Sequence, residues 1–352
     1  MNKLENVKNI LKEKDLDALI ILSDFNRRYV SNFTGTSGAL LITSKESILV
    51  TDFRYIEQAN EQAKGFEIVK QTKDLIATVG ELIESKGLKE IGFEGPHVPY
   101  DTYEALNAFD FNLTSVNFDI DKIRQVKTQE EIEIIQHAAK IVDDAYEYIL
   151  TVVKPGMTEK EVKAYLESKM LHLGADDTSF DTIVASGYRG ALPHGVASDK
   201  VIEKGDMITL DFGAYYQGYA SDITRTFAVG DPDPKMKEIY NIVLKAQEEA
   251  VKQAKAGMGC KELDAVARDI ITEAGYGDNF GHSLGHGIGL DVHEAPVLSF
   301  KSDATLKVNQ CVTIEPGIYV EGLGGVRIED DILITEDGCQ RFTNSSKELI
   351  IL

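Results

Sequence analysis

Four acidic residues and one histidine stand out by their neighbours. Asp211 and Asp222 sit in one short segment, His286 lies in a glycine-dense loop, Glu315 precedes Pro316-Gly317, and Glu329 falls inside Gly325-Val-Arg-Ile-Glu-Asp-Asp-Ile-Leu-Ile334. Met207 to Phe227 reads as two β-prone runs joined by a turn near Gln217-Gly218. A loop at Tyr216-Gln217 sets the two aspartates directly opposite each other. A loop at Gln217-Gly218 makes them diagonal neighbours on one face, roughly 7 to 8 Å apart or less at Cβ. Like charges that close repel, and a cation between them reverses the sign. Without a cation, two isolated aspartates on an edge hairpin face water.

The stretch Phe280 to Glu294 holds His282, His286 and His293, three of the seven histidines. Their spacing suits one helical face, but Gly281, Gly285, Gly287 and Gly289 oppose a helix at about 1 kcal/mol each relative to Ala. The same glycines let the backbone approach something closely; the bland alternative is a turn with incidental histidines. In Gly325 to Ile334, period-two alternation predicts a strand with Arg327, Glu329 and Asp331 on one face and Val326, Ile328 and Asp330 on the other. An Arg-Glu pair on a strand is ordinarily a surface ion pair of little worth; on a strand entering the interior it serves a polar centre.

Gathering Asp211, Asp222, Glu315 and Glu329 in one pocket is unfavourable unless two divalent cations cancel their charge. Four carboxylates and one imidazole suit Mn²⁺, Co²⁺, Fe²⁺ or Zn²⁺ better than a thiolate-bound structural zinc. Two such ions activate a water and polarise a carbonyl, which is hydrolytic chemistry.

The elements that must position these groups fall into two textures. The first 120 or so residues alternate short apolar runs and amphipathic stretches. Strands are predicted over Ala18 to Leu22, Gly38 to Thr43, Ser47 to Thr51, Glu67 to Val69 and Glu90 to Phe93, and helices over Leu4 to Lys14, Tyr55 to Lys64, Leu75 to Ser85 and Tyr100 to Ala108. From Thr128 a long helical periodicity begins, which Pro155-Gly156 should end. Thr158 and Glu161 form a capping box for the next helix, to about Leu173, and further helices are predicted near Lys235 to Ala254 and Lys261 to Glu273. The fold class read from this is α+β, a small α/β domain over residues 1–122 followed by a catalytic domain over residues 123–352.

The chain has 352 residues, with 37 Lys+Arg against 58 Asp+Glu and a formal net charge of −21. That excess repels nucleic acid and anionic membrane surfaces. Cys260, Cys311 and Cys339 suit neither a disulfide framework nor a zinc site, which points to a reducing, cytoplasmic location. The apolar run Leu16 to Leu22 is too short for a signal-peptide core or a membrane span.

Taken together, Asp211, Asp222, His286-Gly287, Glu315-Pro316-Gly317 and Arg327-Ile328-Glu329-Asp330 resemble the five-ligand dinuclear centre of the pita-bread metallopeptidases, which include methionine aminopeptidase, aminopeptidase P and prolidase. The resemblance runs from about Asp121 to the C-terminus with no departure at a ligand position. It implies that Asp211 binds one metal in bidentate fashion, that Asp222 and Glu329 bridge, and that His286 and Glu315 complete the other. Glu315 is also the implied proton shuttle. Leu192-Pro-His194-Gly, His282, His293-Glu294 and Arg327 resemble the Xaa-Pro-specific branch. There His194 and His293 would stabilise the oxyanion and hold the carbonyl, with His282 and Arg327 lining the substrate pocket. Phe33-Thr-Gly-Thr-Ser-Gly38 and Thr51-Asp-Phe-Arg-Tyr55 resemble the creatinase-like N-terminal domain, more as in aminopeptidase P than in prolidase. The resemblance thus implies removal of the N-terminal residue from peptides with proline second, with Mn²⁺ the leading metal and a homodimer the expected assembly; the alternative is a prolidase restricted to dipeptides.

Two rivals remain at this level. Gly281-His-Ser-Leu-Gly285 fits the GxSxG of a serine hydrolase, which requires a strand before it and a helix after it. A non-catalytic peptide-binding module on the same fold predicts no metal uptake and no hydrolysis.

Overall fold

A computed structural model describes residues 3–352. It divides into two compact units, one ending at Arg124 and the other running from Gln125 to Leu352.

The first unit is built on a six-stranded mixed sheet, in the order Glu67–Lys70, Ser47–Thr51, Ala39–Thr43, Ala18–Ile21, Glu90–Phe93, Asn112–Ser115. Ala18–Ile21 and Ala39–Thr43 are buried throughout, as expected of central strands covered on both faces, which read as continuous apolar runs. Helices Lys3–Glu13, Ile56–Gln62, Leu75–Ser85 and Tyr100–Asn107 stand within a few residues of their predicted spans. Three elements escape periodicity: helices Asp24–Ser31 and Asp119–Arg124 and the strand Asn112–Ser115. Asp24–Ser31 buries Asn26, Arg27 and Ser31 beside Tyr29 and Val30, a mostly polar face, because Asn26 donates to the buried Glu94 and Arg27 to the carbonyls of Gly35 and Gly38. A polar buried face leaves no hydrophobic period to read.

The second unit pairs helices with sheets twice. Helices Gln129–Leu150 and Glu159–His172 pack through Val142, Tyr146 and Leu166 onto Leu210, Phe212 and Phe227 of the antiparallel sheet Ile183–Ser186, Met207–Phe212, Ile223–Ala228. Helices Pro234–Gln253 and Cys260–Glu273 pack through Tyr240, Val243 and Leu263 onto Val312, Ile314 and Ile332 of a five-stranded sheet. That sheet is ordered Glu294–Leu298, Gly285–Gly287, Cys311–Ile314, Asp330–Ile334, Cys339–Arg341. Each fully buried Leu, Ile or Phe contributes about 1.5–3 kcal/mol by leaving water. The Thr158–Glu161 capping box forms as predicted. The long helix ends at Leu150, before Pro155-Gly156: the proline lies in the turn leading to the next helix rather than acting as the terminator.

The predicted strand across Gly325 to Ile334 is a different object. It is two strands, Gly324–Arg327 and Asp330–Ile334, broken at Ile328-Glu329. Arg327 pairs with Gly317 in a two-stranded hairpin, whereas Asp330 pairs with Ile314 in the five-stranded sheet. The chain changes partners between them, and alternation cannot register a change of partner. At the break the Glu329 N–H donates to Thr224 O at 3.1 Å, tying the start of the five-stranded sheet's strand Asp330–Ile334 to the three-stranded sheet that holds Ile223–Ala228. No helix among the described residues is long and apolar enough to cross a membrane, and all three cysteines are free.

Candidate metal centre

The hairpin Met207 to Ala228 decides where the first two carboxylates go. Tyr216 pairs with Tyr219, and Gln217 and Gly218 both have positive φ, 46° and 74°, as a type I′ hairpin turn requires. The same register continues to Phe212↔Ile223 and Asp211↔Thr224, so Asp211 and Asp222 are diagonal neighbours, the second of the two predicted alternatives. From the other sheet, His286 lies on Gly285–Gly287, Glu315 directly follows Cys311–Ile314, and Glu329 directly precedes Asp330–Ile334. Gly285 and Gly287 are required here: a Cβ at either would meet the backbone of Thr313 at 2.0 Å or of Ala295 at 2.4 Å. Gly285–Gly287, which carries His286, is therefore a strand pressed between two others, while His282 and His293 lie in the irregular stretches on either side and no helix forms.

These five residues line one cavity of about 430 Å³, together with His194, His282, His293 and Arg327. Asp222, His286 and Glu329 present ligand atoms within 4.8 Å of one another. The His286 Nδ1–H donates to Gly287 O at 3.0 Å, which leaves the Nε2 lone pair facing Asp222 Oδ2 at 3.7 Å and Glu315 Oε1 at 3.4 Å. Burial holds His286 neutral, with its pKa down at about 4. A neutral lone pair turned towards two carboxylate oxygens is repulsive unless a cation stands among them.

Two further observations fit the same cation chemistry. Asp222 Oδ1 and Glu329 Oε1 are buried with no hydrogen-bond partner, a costly state that a metal would relieve. Burial, then the neighbouring carboxylates, push the pKa values of Asp222 and Glu329 well up. Burial takes Glu315 to about 8. Arg327 pairs with Asp211 but leaves the other three carboxylates unmatched, whereas divalent ions held by Asp211, Asp222, His286, Glu315 and Glu329 would offset them.

The surrounding groups hold these side chains in place. Thr224 donates to Glu329 Oε2 at 2.6 Å and Thr313 to Glu315 Oε1 at 3.4 Å, while the Thr313 Oγ1 accepts from the His286 N–H at 3.1 Å. The Asp222 N–H donates to Asp331 Oδ2 at 2.8 Å. Arg327 is ion-paired to Asp211 and donates to Thr224 Oγ1 at 3.1 Å, Tyr319 Oη at 2.7 Å and Pro193 O at 3.3 Å. Its guanidinium is thus committed to the centre as well as lining the cavity. His282 Nδ1–H donates to Ser283 O at 2.8 Å, so Nε2 is the acceptor for the Tyr319 hydroxyl at 2.9 Å. Burial, then Arg327, keep His282 neutral with a pKa down at about 4. His293 packs edge-on to His286, ring centroids 4.6 Å apart, and His194 stands on an exposed loop at the cavity's edge.

Sequence reasoning assigns no part to Thr224, Thr313, Asp331 or Tyr319. The first three sit two residues from Asp222, Glu315 and Glu329, so extending the period-two rule one step from each ligand finds them. Tyr319 carries no such signal. Ser283 lines the cavity, but a 3₁₀ turn Gly277–Asn279 precedes it and the strand Gly285–Gly287 follows, so the strand-turn-helix of a nucleophile elbow is absent.

Comparison with known proteins agrees with this geometry. Residues 133–336 match metallopeptidase family M24, and residues 3–126 match the creatinase/prolidase N-terminal domain. The chain is 44% identical to an Xaa-Pro dipeptidase of Pyrococcus horikoshii, over 98% of this chain and 99% of that protein. Among solved structures, an Xaa-Pro dipeptidase from Bacillus anthracis matches with a TM-score of 0.97 at 52% identity, over 99% of both chains. An X-Pro aminopeptidase from Thermotoga maritima matches with a TM-score of 0.91 at 42% identity, over 98% of this chain and 100% of that one. With its pita-bread catalytic unit and creatinase-type N-terminal unit, this chain belongs to metallopeptidase family M24.

Proposed function

We propose that this enzyme hydrolyses the Xaa-Pro bond and that dipeptides are its preferred substrates. The observation that carries the hydrolytic reading is the gathering of Asp222, His286 and Glu329 in one cavity, with ligand atoms within 4.8 Å of one another and with Asp222 Oδ1 and Glu329 Oε1 buried without a partner. The dipeptide preference departs from the aminopeptidase reading that the sequence favoured. It is supported by the Xaa-Pro dipeptidases at 44% and 52% identity, and by a cavity near the lower end of the usual 300–1,000 Å³ range for ligand sites. The X-Pro aminopeptidase at 42% identity keeps longer peptides as the second reading.

Two divalent cations, when bound, supply Lewis-acid polarisation of the scissile carbonyl and activation of water. Asp222 and Glu329 would hold both, Asp211 one, and His286 with Glu315 the other. The Glu315 carboxyl, which lines the cavity beside Thr313, is suited to carry a proton towards the departing proline nitrogen. His194 and His293 orient the carbonyl and offset the developing oxyanion. Val196, Val297 and Phe180 on the cavity wall give the proline ring an apolar niche. Oxygen-rich ligation with one imidazole favours Mn²⁺, with Co²⁺, Fe²⁺ and Zn²⁺ the other candidates. A homodimer working in the cytoplasm completes the proposal.

The test is an assay of Ala-Pro beside an Ala-Pro-extended peptide, with Mn²⁺, Co²⁺ and Zn²⁺ added separately after chelation. Chelation should stop turnover and one of these metals should restore it, with Ala-Pro the better substrate. Comparable kcat/KM on the extended peptide makes the enzyme an aminopeptidase. Activity that survives chelation but not a serine-directed inhibitor removes the metal reading altogether.

A further inference from the structure

Outside the ligand cluster, the second unit holds another fully buried carboxylate. Glu159 lies in the first turn of helix Glu159–His172 and is 0% exposed. It does not cap that helix: Thr158 and Glu161 already form the capping box. Its hydrogen bonds go instead to the segment that follows the strand Ile183–Ser186. Oε1 accepts from the N–H and the hydroxyl of Ser186, both at 2.8 Å. Oε2 accepts from Ser198 N at 3.0 Å, from Ser198 Oγ at 2.6 Å and from the Arg189 guanidinium. Arg189 in turn donates to Val196 O at 2.9 Å. One carboxylate therefore ties down the start, the middle and the end of residues 186–198.

That segment carries His194. Among the described residues its imidazole makes no hydrogen bond, and between the 3₁₀ turn Gly187–Ala191 and Ser198 the chain forms no helix or strand, only a single β-bridge from Val196 to Ile183. The place of the ring is therefore set by the backbone around it, which Glu159 anchors at Ser186, Arg189 and Ser198, with Arg327 on Pro193 O and the β-bridge from Val196 to Ile183 as the further ties. A fully buried carboxylate is tolerable only with its lone pairs satisfied, and charge-assisted bonds of this kind are strong enough to fix a loop. We infer that Glu159 is the positioning residue for His194, acting through the loop rather than on substrate. This rests on the proposed role of His194 in Xaa-Pro hydrolysis.

Glu159→Gln keeps the shape and removes the charge, and Ser198→Ala removes the hydroxyl bond to Oε2 without touching the helix. Four measurements decide: metal content, kcat and KM on Ala-Pro, hydrogen exchange over residues 187–200, and the same substitutions made in a His194→Ala background. Glu159→Gln should keep the metal content of the parent enzyme, exchange faster at 187–200 but not at 207–228, and lose about 10- to 100-fold in kcat/KM, the scale of a catalytic group displaced by an ångström. Ser198→Ala should show the same pattern with a smaller loss, and carries the test if the glutamine variant does not fold. In the His194→Ala background both losses should nearly vanish, because the group they position is gone. Equal losses in both backgrounds, or unchanged exchange at 187–200, overturn the inference. If the parent enzyme turns over no Xaa-Pro peptide, the functional proposal falls, and the exchange data alone decide whether Glu159 holds the loop.

Discussion

Two regions of the catalytic unit meet at adjacent residues, Glu329 and Asp330. Both are buried and acidic, and their surroundings are opposite. Behind the centre, Asp330 receives Arg225 at 2.8 Å, Lys347 at 3.0 Å, Arg341 at 3.3 Å and the Gln247 amide at 2.9 Å. Burial would raise its pKa, but these cations outweigh burial and hold it at about 2. On the cavity side, Glu329 receives the Thr224 hydroxyl on one oxygen and nothing on the other, and burial drives its pKa well up. A buried charge that serves the fold is neutralised by the chain itself. A buried charge left without a partner is reserved for something the chain does not contain.

Substitutions on the two sides of this divide should have the strongest and most distinct consequences. Asp330→Ala strands Arg225 and Lys347 and should cost about 3–5 kcal/mol of stability, measured by denaturant unfolding. Glu329→Ala should instead abolish metal binding and turnover, and with one like charge removed the chelated protein should gain about 1 kcal/mol, roughly 2–4 °C in Tm. A Glu329→Ala variant that unfolds as readily as Asp330→Ala would erase the distinction. Asp222→Ala should behave as Glu329→Ala does, by metal analysis and assay.

Next in size is His293→Ala, which should retain metal and lose about 10²–10³-fold in kcat. Loss of metal there would mean that its place beside His286 is structural. The pH response of the chelated protein separates the two sides again. A carboxyl whose folded pKa is raised stabilises below its unfolded value and loses that contribution as pH rises. Between the ordinary 4.5 and about 8 for Glu315, Tm should therefore fall with pH more steeply than in Glu315→Gln. Asp330 works the other way: its contribution is present above the ordinary 3.8 and is lost only as pH drops towards 2. The mildest change is Thr224→Val, which removes the hydroxyl between Glu329 and Arg327 and should weaken metal binding about 10- to 100-fold, measured by competition with a chelating dye.

Much of this candidate centre was legible because its residues occupy positions that ordinary folding rules disfavour: aspartates in β-runs, a histidine among four glycines, a glutamate closing an apolar strand. The elements carrying them were legible for the usual reasons. The capping box at Thr158 is a local pattern, and the strands Ser47–Thr51 and Glu90–Phe93 are apolar runs with matching bounds. Asp24–Ser31 was not legible because its buried face is polar, and the break at Ile328-Glu329 was not because it follows from a change of strand partner. The remaining gap, dipeptides against longer peptides, concerns the shape of a cavity whose walls come from many distant segments.

The order of residues carries the candidate chemistry: which oxygens and which imidazole are present, and that their summed charge calls for cations. Local rules act within a turn or a strand, so most of the elements followed from it too. That Asp330 is neutralised by the chain, while Glu329 keeps one oxygen without a partner, emerged only from the packed fold. Glu329 and Asp330 are neighbours in the chain with the same charge. One turns towards Asp222 and His286 and the other towards Arg225 and Lys347, because successive side chains point to opposite faces where the chain passes from the two-stranded hairpin to the five-stranded sheet. Alternation separates the two side chains, but which partners stand on each side is no local pattern, since those residues lie far away along the chain.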